Sequence, residues 1–189
     1  MTTAVSRPIV TLADLTLRSF EHGAVYKGRD APFAAMLGLK GLGIRYNEVP
    51  AGKSMCPFHN HHVEDELFIV LEGEGTYRFG ADSFSFKAGD VLGAPAGGHE
   101  TAHQIINTGG STLRYLGLST VAATEVCEYP DSGKFQVNSL AASGQPAVHP
   151  YLAEGFRLRH KGRVGEHNLD YWDGEPGAKV PATVESGDE

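Results

Sequence analysis

Residues 57–73 read PFHNHHVEDELFIVLEG, and this segment says most about how the chain folds. His59 and His61 stand two positions apart, and such residues point to the same face of a β-strand. Four further residues lead to Glu66, which opens an apolar run that is typical of a strand. If the two strands lie side by side, two imidazoles and one carboxylate face a common interior.

A second segment, residues 89–107, reads GDVLGAPAGGHETAHQIIN. Here His103 opens a later predicted strand and can supply a third imidazole. Three neutral imidazoles and one carboxylate suit iron, manganese, nickel, copper or zinc, and four protein ligands leave coordination positions open for water, substrate or O₂. An open position is what distinguishes a catalytic metal site from a structural one. We therefore predict one divalent metal ion (Fe, Mn, Zn or Ni) on His59, His61, Glu66 and His103.

Short strands separated by glycine-bearing turns fill residues 40 to 130, and this spacing predicts an all-β sandwich or barrel. The continuous apolar run in Glu66 to Leu71 predicts a strand buried on both faces, paired as a hairpin with Thr76 to Phe79. The segments Leu12 to Phe20 and Val137 to Ala142 fit either a helix or a strand. The strands predicted in addition are Leu42 to Val49, Ser83 to Phe86, Val91 to Leu92, Ala102 to Asn107, Thr112 to Ser119 and Val126 to Tyr129.

The two segments resemble the two conserved motifs of the cupins. Motif one is written G-x5-HxH-x3,4-E-x6-G, and the HxH, Glu66 and Gly73 fit it, while Gly52 stands one residue further upstream than the pattern has it. Motif two is written G-x5-PxG-x2-H-x3-N. Gly89, Pro95, Gly97 and Asn107 fit it by type, with three additional residues before His103. The longer loop leaves His99 as an alternative to His103, which keeps the x3-Asn spacing and is preferred.

This resemblance implies a single cupin antiparallel β-barrel, or double-stranded β-helix, with N- and C-terminal extensions. We expect residues 1–40 to pack on the barrel, 41–130 to form it and 131–189 to extend it, with a disordered tail from about residue 175. The segments 95–98, 100–104, 113–116, 128–134 and 170–174 further resemble a poorly characterised group of bacterial single-domain cupins.

Composition limits the partners and the compartment. Sixteen basic and 23 acidic residues give a net charge of −7, which disfavours a nucleic-acid or anionic-membrane surface. The N-terminal 23 residues show no signal-peptide pattern, and the longest apolar run is far shorter than a membrane span. Cys56 and Cys127 fit free thiols in a reducing cytoplasm, although one disulfide stays open. Uncovered edge strands, together with the resemblance, predict a homodimer.

Other residues near the motifs have simpler interpretations. We expect His62, Glu64 and Asp65 to form a solvated turn. His99 and Glu100 are interpreted as ordinary loop residues, with a role beside the site left open. Aromatic and apolar residues in the strands are assigned to the barrel core, namely Phe68, Val70, Tyr77, Phe79, Phe84 and Phe86.

Two classes of function follow from a metal site inside a barrel. The first is a metal-dependent enzyme on a small molecule, either a dioxygenase using Fe(II) or an isomerase or epimerase using a Lewis-acidic ion. The second is a non-catalytic module that binds a sugar or a small acid. The fold alone does not choose between them, because function resides in the site.

Overall fold

The computed structural model describes residues 8–140 and 156–165, with the backbone alone at 156 and 157. Apart from short 3₁₀ turns, the regular structure in these ranges is β. The strands in chain order are β1 (Arg18–His22), β2 (Tyr26–Pro32), β3 (Leu42–Val49), β4 (Asn60–His61), β5 (Glu66–Glu72), β6 (Glu74–Phe79), β7 (Asp82–Lys87), β8 (Val91–Ala94), β9 (His103–Ile106), β10 (Leu113–Thr120), β11 (Thr124–Tyr129), β12 (Lys134–Leu140) and β13 (Phe156–Arg163).

The strands form two facing layers. One sheet has the order β1-β2-β3-β10-β5-β8, so the N-terminal strands extend the same sheet as β3. The other layer combines the order β13-β12-β11-β4 with the order β7-β6-β9. An antiparallel bridge between His59 and His103 joins these two parts, which makes β4 and β9 neighbours. All the pairs between the described strands are antiparallel, so the expected all-β antiparallel barrel is confirmed.

The two segments of ambiguous pattern contain strands. Within Leu12 to Phe20, a 3₁₀ turn (Leu12–Asp14) precedes the start of β1. In the other segment, residues 137–140 belong to β12, which pairs with β11 on one side and β13 on the other, and the last two residues lie outside the described ranges. The predicted tail and the 170–174 segment lie outside the described residues.

The predicted hairpin between Glu66 to Leu71 and Thr76 to Phe79 is wrong. β5 pairs with β10 and β8, whereas β6 pairs with β7 and β9 in the opposite layer. The turn at Gly73 carries the chain between layers, with φ at +86°, a left-handed conformation that favours glycine. A β-carbon on Gly73 would also lie 3.0 Å from the Leu113 backbone. A turn signal thus located the chain reversal correctly but did not specify the pairing.

The apolar core lies between the layers and contains most of the aromatic residues assigned to it. Phe84 is an exception, since 53% of it is exposed while its neighbour Phe86 is buried. The expectation that β5 is buried on both faces is also wrong for the single chain, because Leu67 is 39% exposed. The buried core residues are Val49, Phe68, Val70, Tyr77, Phe86, Ala94, Ile105, Leu113 and Tyr115.

Candidate metal centre

The short strand β4 and the residue before it direct His61 and His59 inward. The registers place His61 opposite Cys127 on β11, and His59 opposite His103 on β9. Directly opposed residues share a face of the sheet, so both imidazoles lie on the barrel side. Asn60 between them points the other way and is fully buried, with its amide donating to the Gly97 carbonyl at 3.0 Å.

The three histidines predicted from the motifs converge on one carboxylate oxygen of the fourth predicted residue, Glu66. Glu66 Oε2 lies 3.0 Å from His103 Nε2, 3.3 Å from His61 Nε2 and 3.8 Å from His59 Nε2. Period-2 alternation along β5 places Glu66 at one end of the row that continues inward with Phe68 and Val70. The alternative histidine, His99, is not in this cluster: its side chain is 66% exposed, and its Nε2 lies 3.6 Å from Glu128.

Hydrogen bonds to the backbone orient two of the imidazoles. His59 Nδ1 lies 2.9 Å from the Pro57 carbonyl oxygen, and His103 Nδ1 lies 3.3 Å from that of Thr101. A carbonyl can only accept, so these contacts hold the proton on Nδ1 and leave Nε2 as a lone-pair donor. Such bonding of the distal nitrogen is how proteins orient histidine ligands toward a metal.

The electrostatics of the cluster favour bound positive charge. Burial, together with His103 and His61, lowers the pKa of His59 to about 3, so this imidazole stays neutral. Burial alone would raise the pKa of Glu66, but the three histidines hold it well below its usual range. For His61, burial opposes protonation, yet nearby carboxylates, Glu66 foremost, raise its pKa overall. A carboxylate that stays ionised among imidazoles is the donor set that a divalent cation requires.

Glu125, which the motifs did not reveal, supports the site from β11. Its buried carboxylate accepts backbone N–H groups of the loop that follows the HxH pair, from His62 and Glu64 at 2.8 Å each and from Val63 at 3.2 Å. It also lies 3.8 Å from His61 Nδ1. Strand β11 begins two residues before its predicted start, so Glu125 lies inside it. In a strand, Glu125 shares a face with Cys127, and this alternation was the one feature of the sequence that could have indicated an inward-facing Glu125.

Residues 46–119 match the model of the Cupin domain family. This segment of the chain is therefore a cupin domain. A proposed sugar phosphate isomerase of Acidithiobacillus ferrooxidans is 26% identical, with a TM-score of 0.63 over 70% of this chain and 86% of its own. A cupin sugar phosphate isomerase of Silicibacter pomeroyi shares the fold at 19% identity, with a TM-score of 0.67 over 87% and 98%. An oxalate-binding protein of Thermotoga maritima is 34% identical over 71 residues, which are 38% of this cupin and 55% of that protein.

The loop between the HxH pair and Glu66 is more structured in this cupin than a solvated turn. Glu64 is half-buried, accepts the Ala122 N–H at 2.7 Å, and has a pKa raised by burial. Asp65 accepts the Ala96 N–H at 2.8 Å, and His62 contacts Glu128 at 2.9 Å. These contacts fasten the loop to segments on both sides of it. The solvated-turn prediction is therefore wrong for Glu64.

A second donor set of this cupin overlaps the first. The ligand atoms of His59, His61 and Cys127 all lie within 4.8 Å of one another. Cys127 is buried, and burial raises the pKa of its thiol. Both cysteines of the chain are free thiols, as preferred from the sequence. Within the described ranges, the structure has no helix long and apolar enough to cross a membrane.

Proposed function

We propose that this cupin binds one divalent metal ion on His59, His61, Glu66 and His103 and acts as a metal-dependent enzyme on a small molecule. The main support is that the Nε2 atoms of the three histidines lie 3.0–3.8 Å from Glu66 Oε2. Side chains that are scattered over 45 positions of sequence meet at one end of the apolar core, because β5 in one layer and β4, the residue before it and β9 in the other all direct them into the same interior.

When bound, a Lewis-acidic ion supplies polarisation of a carbonyl or carboxylate oxygen at this site. The protein's own residues shape the surroundings. Phe68 and Tyr77 lie beside His103, with ring centroids 5.6 and 6.3 Å away, and close the inner side against water. Tyr129 stacks 6.1 Å from His59 on the side of β11. We therefore propose that substrate approaches from the side of β11 rather than through the core.

Lewis-acid chemistry is favoured over dioxygenase chemistry. Among the relatives with at least a quarter identity are a proposed sugar phosphate isomerase and an oxalate-binding protein. The compounds in their names, a sugar phosphate and oxalate, carry carbonyl or carboxylate oxygens, and these are the groups that would contact the metal. A sugar or carbonyl isomerase is accordingly the proposed reaction type for this chain.

The proposal is tested by measuring enzymatic turnover with and without each bound metal. Purified protein would be stripped of metal with a chelator and reloaded separately with Mn(II), Zn(II), Ni(II) and Fe(II). Each form would be assayed for exchange of substrate hydrogen, measured as the incorporation of deuterium from D₂O into phosphorylated aldoses and ketoses. We expect exchange with at least one loaded form, loss on chelation, and loss in Glu66→Gln. Exchange that persists after chelation, or that is unchanged in Glu66→Gln, would refute the proposal.

A second candidate function is non-catalytic binding of a small acid. The observation that favours it is the match to the oxalate-binding protein, whose aligned 71 residues are 34% identical. Under this alternative, oxalate binds and is recovered chemically unchanged, with no proton exchange into any carbonyl compound. Calorimetry combined with product analysis separates the two functions.

The oligomeric state, the location and the domain limits are further proposals. We propose a homodimer because the outer face of β5 and β8 exposes large apolar side chains, with Leu67 39% and Val91 63% exposed. Sedimentation at the mass of one chain would remove this proposal. We further propose a cytoplasmic location, and a barrel formed by residues 41–130 with extensions on both sides.

A further inference from the structure

Cys127 is a buried thiol in polar surroundings. The register places it directly opposite His61 on β4 and, on its other side, opposite Gln136 on β12. Directly opposed residues share a face of the sheet, so the thiol is on the same face as the His61 imidazole. Cys127 is 5% exposed, yet it does not belong to the apolar core cluster of the described residues. A cysteine that serves only packing behaves as a small apolar side chain, and this position does not offer that environment.

Two groups of donor atoms at this end of the barrel share His59. In the first group His59 is accompanied by Glu66 and His103, and in the second by His61 and Cys127. Within each group the ligand atoms all lie within 4.8 Å of one another. His59 Nδ1 is bonded to a backbone carbonyl, which leaves Nε2 as the atom that either group can use. One ion can therefore occupy one group or the other, with His59 common to both.

His61 has donor capacity that the protein itself does not use. Both of its ring nitrogens are shielded from solvent, and neither makes a hydrogen bond with the described residues, although Nε2 lies 3.3 Å from Glu66 Oε2. In contrast, Nδ1 of His59 and Nδ1 of His103 each bond to a backbone carbonyl. Buried polar atoms without a partner are rare in proteins, and a bound cation would provide one. His61 thus points to a ligand in the second donor group, beside Cys127.

We propose that Cys127 is a metal ligand of this cupin for thiophilic divalent ions such as Zn(II) and Cd(II), which it binds together with His59 and His61. Sulfur ligands favour such ions, whereas carboxylate oxygen suits Mn(II). The cluster therefore has a carboxylate end at Glu66 for hard ions and a thiolate end at Cys127 for soft ones. Coordination by Cys127 releases the thiol proton to solvent.

This assignment rests on the proposed metal centre for its two histidines. It goes beyond that centre by naming the residue that determines which ions the cluster retains. A ligand set of two imidazoles and one thiolate is one that zinc accepts in proteins, whereas the Glu66 group offers no sulfur. Cys127 is accordingly expected to change the selectivity among metals rather than the affinity for all of them.

The test titrates the full chain, stripped of metal and kept with a reductant that contains no thiol, with Cd(II) or with Mn(II). The readouts are the ultraviolet charge-transfer band of a cadmium–thiolate bond and the dissociation constant of each ion from calorimetry. The variants are Cys127→Ser and Glu66→Gln. Cys56→Ser is the matched control, because Cys56 is the other free thiol and belongs to no donor group of the described residues. The chain has two cysteines, so a thiolate band in Cys56→Ser can come only from Cys127.

We expect Cd(II) to give this band in the wild type and in Cys56→Ser and to give none in Cys127→Ser. The dissociation constant for Cd(II) should rise about tenfold or more in Cys127→Ser, since a direct ligand is lost. The Mn(II) affinity should be unchanged in Cys127→Ser and should fall in Glu66→Gln. Cd(II) binding to Cys56→Ser without a thiolate band would overturn the inference, as would wild-type Cd(II) affinity in a folded Cys127→Ser. The first of these outcomes needs no substitution at Cys127, so it decides the matter even if Cys127→Ser does not fold.

The two ions separate this inference from the metal proposal. If Mn(II) binds in a Glu66-dependent manner and Cd(II) gives no thiolate band, the ligand role of Cys127 fails and the proposed metal centre stands. If Cd(II) gives the band in Cys56→Ser and the affinity for neither ion depends on Glu66, the four-residue centre fails and the role of Cys127 stands. Absence of binding of both ions would overturn both proposals.

Discussion

Replacing Glu125 by glutamine removes one acceptor oxygen and the negative charge beneath the loop that connects His61 to Glu66. In the native structure, His62 N–H bonds to Oε1 at 2.8 Å while Glu64 N–H bonds to Oε2 at 2.8 Å. An amide group of the same shape can satisfy only one of them, because its nitrogen is a donor. One buried N–H then loses its partner, at about 1–3 kcal/mol, and the remaining bonds lose their charge assistance. We expect the free energy of unfolding to fall by about 2–4 kcal/mol in total.

The same change should weaken metal binding, because His61 and Glu66 are the two ends of that loop. Loss of an outer residue that orients ligands typically costs about 10–100-fold in metal affinity. Competition with a chromogenic chelator measures this affinity, and urea unfolding measures stability. Glu128→Gln is the control, since Glu128 contacts His62 and Asn60 on the other face of β11 and should leave metal affinity within about threefold. Wild-type metal affinity in Glu125→Gln would refute the positioning role.

The remaining predictions concern stability. Glu48 is buried and ion-paired with two partly exposed arginines, so Glu48→Gln should cost about 1–3 kcal/mol by urea unfolding at pH 7. Its pKa is lowered from 4.5 in the folded state, so this contribution is present above about pH 4.5 and disappears as the pH falls through the folded value. An undiminished difference between wild type and variant at pH 2 would contradict this sign. Asn107 is fully buried and holds three backbone groups, so Asn107→Ala should cost about 2–4 kcal/mol. Gly75→Ala would place a β-carbon against the carbonyl oxygen of Ile106 and should lower the thermal midpoint, whereas Gly110→Ala, with nothing within 4 Å, should not.

Local patterns were sufficient to predict most of the strands between residues 42 and 129 and the inward direction of the four residues of the proposed metal centre. Leu42 to Val49 was predicted with the bounds that β3 has, and the spacing of His59, His61, Glu66 and His103 brought together four residues that the structure also brings together. The shared orientation of His59 and His61 rests on period-2 alternation, and the end of β3 follows from the turn residues Pro50 to Gly52; both are properties of a short stretch of sequence by itself.

Pairing between strands depends on distant parts of the chain, and the local patterns did not supply it. Glu66 to Leu71 and Thr76 to Phe79 are neighbours in sequence but belong to opposite layers. The first segment pairs with β10 and the second with β9, and both of these strands come later in the chain. The role of Glu125 was not predicted for the same reason, because it depends on strand pairing. Its relation to His62 spans 63 positions and depends on β11 lying beside β4.

Metal analysis of the purified protein tests the central claim most directly. Protein prepared anaerobically and reconstituted with divalent metal would be measured by mass spectrometry, alongside a His61→Ala, Glu66→Ala double variant and a His62→Ala control. We predict close to one metal ion per chain in the wild type and in His62→Ala, and its loss in the double variant. A wild type that holds no metal, or a double variant that holds as much as the wild type, would contradict the assignment of His59, His61, Glu66 and His103 as ligands.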